Sequence, residues 1–380
     1  GSAAPGDSGG PIYLFHEGQF WQIGTVIGGV EAPPPAYDPR VPDYGIINIF
    51  TPVAAFAEWL KSEMAYRASY SLAGDTAWSD RAAWIDQLGR QEVPDNVAGS
   101  FEGRGALGRF YGVRIAKAGT VTLDMNATID DLVIGGAAAR LVIDEGRELT
   151  VNAGSLLVQG ELHLSGRLGT DRMVATGGIL AGTGVLSSHY GILNLGAMFV
   201  SGEAGSTGGL QLHGDYTQGP HGMLVVPLEN GQAGTLLVSG VAELDGSLLL
   251  QTGTGIVDTE ATYGIVSSGG LQGTFAAISS DLDFYSPIVS YSSNDAFAHY
   301  QRNLVTFADR ARNNNEAEVA AALEGTDPQG DLYRGILNSR IGTTGSALAS
   351  LSAQPYADTG TTLLRQSLRL GEGALTKRNR

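Results

Sequence analysis

The run Arg140-Leu141-Val142-Ile143, with Glu148-Leu149-Thr150-Val151, Leu156-Leu157-Val158 and Glu161-Leu162-His163-Leu164 after it, decides the fold class. Each piece is a short stretch of Leu, Val and Ile, and turn-forming Gly, Asn or Asp separates one from the next. Alternation with period two reads as strand, not helix. Strands of three to five residues recurring every 8 to 10 residues are too short for a sandwich core. They suit a right-handed parallel β-helix, in which each coil lays down about three short strands and stacks on the coil before it. The same texture extends outward, upstream through Thr120-Val121-Thr122-Leu123 and Leu132-Val133-Ile134, and downstream through Leu210-Gln211-Leu212 and Tyr263-Gly264-Ile265-Val266. At about 22 residues per coil, the span 100–305 holds about nine coils.

Composition agrees with a mainly β chain. Its 380 residues include 55 glycines, about twice the usual share of roughly 7%, with no Gly-X-Y period, which excludes collagen. With 43% hydrophobic residues the chain can bury a core, which excludes disorder. It contains no cysteine, which rules out disulfides, thiolate metal sites and a Cys nucleophile. Net charge is −16, and no Lys or Arg occurs between Arg172 and Arg302. Such a surface repels phosphate backbones, so nucleic acid is excluded as a partner. No run of 18 apolar residues is present to cross a membrane as a helix. His163, His213 and His221 stand alone without metal-ligand spacing, and no Gly-Lys pair exists to build a P-loop. No metal and no cofactor are expected.

Near the start stands Gly6-Asp7-Ser8-Gly9-Gly10-Pro11. Glycines around a small nucleophile permit a tight turn that aims the Ser8 hydroxyl outward and leaves backbone N–H groups free for a developing oxyanion. Ile12–Phe15 reads as a strand, His16–Gln19 as a hairpin turn, and Phe20–Ile27 as the return strand, ending in Gly28-Gly29. Tyr44–Phe50 reads as another strand. Thr51-Pro52 then reads as the N-cap and first position of a helix carrying Val53, Phe56, Leu60 and Met64 on one face.

From Gly6 to about Met64 this succession resembles the nucleophile-bearing end of chymotrypsin-like serine proteases. The resemblance implies a nucleophile at Ser8 and an oxyanion N–H at Gly6. It also implies a pocket position at Ser2 and a substrate-pairing strand at Thr25, Val26, Ile27 and Gly29. In that family the His and Asp precede the Ser, whereas all six histidines here follow it. Both partners are expected upstream of residue 1, and the 380 residues alone are expected to be inactive. A neutral Ser2 argues against a preference for basic side chains.

Residues 67–99 read as a transition, with a helix expected over Asp75–Leu88. Beyond it, Leu212-His213-Gly214-Asp215-Tyr216-Thr217-Gln218, Gly234–Gly240 and Ala242–Leu248 resemble, in order, the late passenger stem of Gram-negative autotransporters, whose end coils (here 205–305) form a stable cap. Asn313 followed by Glu316–Leu323 signals a capped helix, and Asp331–Leu337 and Leu363–Leu370 are further helices. The span 306–380 resembles the helical linker before an outer-membrane β-barrel, expected downstream.

The sequence thus divides into 1–66, part of a chymotrypsin-like barrel; 67–99, a transition; 100–305, a parallel β-helix; and 306–380, a short helical linker. The expected function is that of a secreted autotransporter serine endopeptidase. Its partners would be a protein or peptide substrate and its own outer-membrane barrel, and it would be displayed at the cell surface of a Gram-negative bacterium. Two alternatives stay open: a non-enzymatic adhesin with a degenerate protease-like head, and a periplasmic trypsin-like protease fused to a β-solenoid.

Overall fold

A computed structural model describes residues 11–16, 19–31, 46–52, 66–72, 74–97, 108–201, 208–229, 231–253, 256–352 and 361–367. The chain is mainly β, and its long sheets are built of parallel strands. Two compact units share it, the smaller within Gly1–Arg67, Gln87–Arg90 and Val97–Arg109, the larger within Ala68–Asp86, Gln91–Asn96 and Phe110–Arg380.

The smaller unit holds a three-stranded antiparallel sheet: β1 (Pro11–His16), β2 (Gln19–Glu31) and β3 (Ile46–Pro52), with β2 in the centre. The expected hairpin is present, with His16 opposite Gln19. The expected helix start is not. Thr51 and Pro52 end β3, paired with Thr25 and Gly24, because a proline without an N–H is tolerated at the end of an edge strand. Val53–Met64 lie outside the described residues.

In the larger unit the chain alternates between two sheets and returns to each a coil later. In one sheet Val121, Leu141, Leu162, Leu180, Met198, Leu224 and Leu248 occupy matching positions on successive parallel strands, all seven essentially buried. In the other, Ala127, Leu149, Leu168, Leu186, Leu212 and Val238 do the same. Each fully buried Leu in such a column contributes about 1.5–3 kcal/mol over an exposed one. The coil is not constant in length. Leu180 and Met198 are eighteen residues apart, whereas Leu248 pairs with Ile278, thirty residues on. Turns between strands need left-handed backbone: Gly160 has φ 78°, and a Cβ there would strike the carbonyl oxygens of Ala139 and Gly136.

The helix expected over Asp75–Leu88 does not form. Thr76–Ala77 is instead a strand running parallel to Val121–Thr122. Asp80 accepts a hydrogen bond from the Ala82 N–H to start a single 3₁₀ turn, and Trp84–Asp86 is again a strand. Two aromatics override the helical spacing. Trp78 and Trp84 are both fully buried, their rings 4.8 Å apart, and their indole N–H groups donate to the carbonyls of Pro94 and Trp78.

The parallel order ends in an antiparallel hairpin, Tyr285–Tyr291 with Asp295–Arg302, added beside the strand Tyr263–Gly273. Its outermost strand carries Pro287, opposite Tyr300. Tyr285 and Tyr300 are buried edge to face. Three helices follow: α1 (Asn314–Glu324), α2 (Asp331–Leu337) and α3 (Thr344–Leu351). Residues 361–367 are also helical, while 368–370 lie outside the described residues. Asn313 caps α1 by accepting from the Glu316 N–H at 3.0 Å, and the Glu316 carboxylate accepts from the Arg312 N–H at 2.7 Å. These helices pack on one another. Phe284, Phe307, Ala320, Leu323, Ile336 and Leu348 form their core. Buried Asp283 accepts from Arg310 Nε at 2.7 Å and from Thr344 Oγ1 at 2.5 Å, tying α3 to the hairpin.

Candidate functional site

The expected peptidase residues divide in two. Ser2, Gly6 and Ser8 lie outside the described residues. Thr25, Val26, Ile27 and Gly29 lie together on β2. Sequence places them there because Phe20–Ile27 is a long apolar and β-branched run, suited to the central strand of a sheet.

The register gives β2 an asymmetry. β1 covers it only from Gln19 to Thr25, whereas β3 covers it from Gly24 to Glu31. Gly24, buried, and Thr25, half-buried, therefore pair on both sides, and Val26 and Gly28–Glu31 pair on one. Among the described residues no strand occupies the other side of that stretch. Alternate residues of a strand turn their N–H and C=O to each side, so main-chain groups of this stretch also face away from β3.

Two further features mark the same stretch. Val26 pairs with Phe50 and Gly28 with Ile49, leaving Ile27 as the extra residue of a β-bulge. A bulge re-aims the residues after it and increases local twist. Gly28 and Gly29 follow, where the absence of side chains permits another backbone to approach closely.

The Gly6–Pro11 string leads directly into β1. Ser8 is three residues before Pro11, and Pro11 pairs with Thr25, the last residue of β2 that β1 covers. At no more than about 3.6 Å per residue, the Ser8 Cα stays within about 11 Å of the Pro11 Cα.

Elsewhere, no three His, Asp or Glu side chains gather as a metal site among the described residues. His163 is nearly buried, its Nδ1 3.8 Å from Glu161. Sequence reasoning missed two features of the larger unit. One is a buried polar network at Asn194, Tyr216 and Gln218. Asn194 Nδ2 donates to Tyr216 Oη at 3.2 Å, and Tyr216 Oη donates to Gln218 Oε1 at 3.0 Å. Gln218 Nε2 reaches the carbonyls of Asp245 and Ser247 at 2.8 and 3.0 Å. Burial pushes the Tyr216 hydroxyl far above its usual range, so it stays protonated as a donor. The signal available was a Tyr-Thr-Gln triplet inside an apolar pattern. The other is a cleft bordered by the long excursion 256–260 and α2.

No family model matches the chain. No curated protein matches it either.

Proposed function

We propose that the chain belongs to an exported serine endopeptidase whose nucleophile is Ser8. The observation that carries this reading is the register of β2: among the described residues no strand covers the β1 side of Val26–Glu31, and β1 itself begins three residues after Ser8. An extended substrate adds to that edge by main-chain hydrogen bonds, which brings its scissile carbonyl beside Ser8. The Ser8 Oγ attacks that carbonyl while a His supplied upstream takes its proton. The N–H groups of Gly6 and Ser8 then hold the oxyanion. The antiparallel sheet is read as the last part of a chymotrypsin-like barrel.

The larger unit is read as a right-handed parallel β-helix, the stem of an autotransporter passenger. Its alternating parallel sheets and the closing hairpin support that reading. A stem of this kind stacks coil on coil from one stable end, which suits a chain that folds as it emerges from an outer-membrane pore at the cell surface.

The experiment is active-site labelling. A fluorophosphonate probe applied to the chain extended upstream through its His and Asp is expected to modify Ser8, located by mass spectrometry, and Ser8→Ala is expected to abolish labelling. The 380 residues alone are expected to leave casein intact. Labelling elsewhere, or none, overturns the assignment.

A further inference from the structure

Between the excursion Ile256–Glu260 and α2 lies a cleft of about 540 Å³, closed at its base by the start and end of the terminal hairpin. Its two sides carry opposite charge. Asp258 and Glu260 line one, and Arg334, on α2, lines the other. These three form no ion pair, with each other or with any other described residue. The neighbouring Arg302 differs: it is spent on Glu324, 3.6 Å away, and on the faces of Phe284 and Phe307. Tyr285, Tyr333 and a half-exposed Ile256 line the same cleft, together with the polar Thr259 and Gln329.

Unpaired charges of opposite sign in one cleft, beside two tyrosines and an isoleucine, complement a dipole that carries apolar side chains. Charge-assisted hydrogen bonds to Arg suit a carboxylate, and carboxylates suit an ammonium with its three donors. The Tyr285 hydroxyl adds a neutral donor, since burial first, against the pull of Arg302 and Arg334, pushes its ionisation above the usual range. The excursion that forms one wall is held rigidly. The Val257 N–H donates to Asn338 Oδ1 at 2.8 Å, and the Glu260 N–H donates to Asp258 Oδ1 at 2.9 Å. A fixed wall lowers the ordering cost of binding.

We propose that this cleft binds a short apolar peptide with both termini free, its carboxylate on Arg334, its ammonium on Asp258 and Glu260, and its side chains beside the two tyrosines. The site is separate from the strand edge of the smaller unit and does not depend on Ser8.

The dipeptide Phe-Leu, its N-acetyl form and its C-terminal amide, titrated by calorimetry into the full chain, test this directly. Phe-Leu is expected to bind with a dissociation constant below about 10 mM, and each blocked form about tenfold more weakly. R334Q is expected to weaken Phe-Leu about tenfold and leave the amide unchanged, because the amide has already lost the Arg334 contact. E260Q is expected to weaken Phe-Leu and leave the N-acetyl form unchanged. Both variants should melt as the parent does, since Arg334 and Glu260 support no ion pair. Equal binding of all three ligands, no binding of Phe-Leu in that range, or an R334Q effect equally large for the amide overturns the proposal. Failure of Ser8 labelling leaves it standing.

Discussion

One interior column of the larger unit changes its chemistry halfway along. Ile115, Ile134, Leu157 and Ala175 occupy matching positions on successive parallel strands, and the next two residues in the same register are Asn194 and Gln218. All six are buried to within a few per cent. The apolar half is held by dispersion and exclusion of water, which are non-directional, so it fixes which face points inward and little else. The polar half is directional. Gln218 is satisfied only if the coil carrying Asp245 and Ser247 sits at one height against it, and Tyr216 only if Asn194 lies beneath. Leucines thus set which face of each strand is buried, and a few buried amides set the register.

Exchanging the two chemistries breaks the comparison most severely. Leu157→Gln places an amide between Ile134 and Ala175 with nothing to bond, and is expected to lower stability by about 3–5 kcal/mol in denaturant unfolding. The reverse exchange, Gln218→Leu, keeps the interior apolar but strands the Tyr216 hydroxyl and the Asp245 and Ser247 carbonyls. It is expected to cost about 2–3 kcal/mol, less than the first because those carbonyls keep other lone pairs for coil-to-coil bonds.

The mildest change sharpens the comparison through pH. Tyr216→Phe removes one hydroxyl and is expected to cost about 1 kcal/mol at neutral pH. In the native protein burial holds Tyr216 protonated, whereas the unfolded chain releases that proton above its ordinary value of 10.0. The folded-state value is raised, so this contribution is complete below pH 10.0 and is lost as pH climbs toward the folded value. Y216F is expected to flatten the alkaline limb of the stability curve by about 1.4 kcal/mol per pH unit, the weight of one proton.

Much of the fold was legible because its signal is local. Glu161–Leu164 is a strand with the bounds its alternation predicts, and α2 spans Asp331–Leu337 as read. Where local and distant signals conflicted, the distant one won. Asp75–Leu88 has helical spacing, but Trp78 and Trp84 each bury more surface as the end of a stack than one helix face could offer them. Coil length was illegible for the same reason: nothing in 253–262 announces that Leu248 will pair with Ile278. α3 escaped notice because Thr344-Gly345-Ser346 is poor in helix formers, and its placement rests on Asp283, some sixty residues upstream. Of the candidate sites, the Gly6–Pro11 string is readable as text and β2 as a strand. The open edge emerges only from pairing, and the dipolar cleft from residues of three separate segments.

Pro287 has a consequence beyond its own strand. A pile of parallel coils is a one-dimensional polymer, and any such polymer has a growing tip onto which an identical copy could add. The outermost ribbon of the hairpin meets that hazard with a residue that has no amide hydrogen to offer a newcomer. That strand thus leaves a gap in the row of donors a further strand would need at this edge.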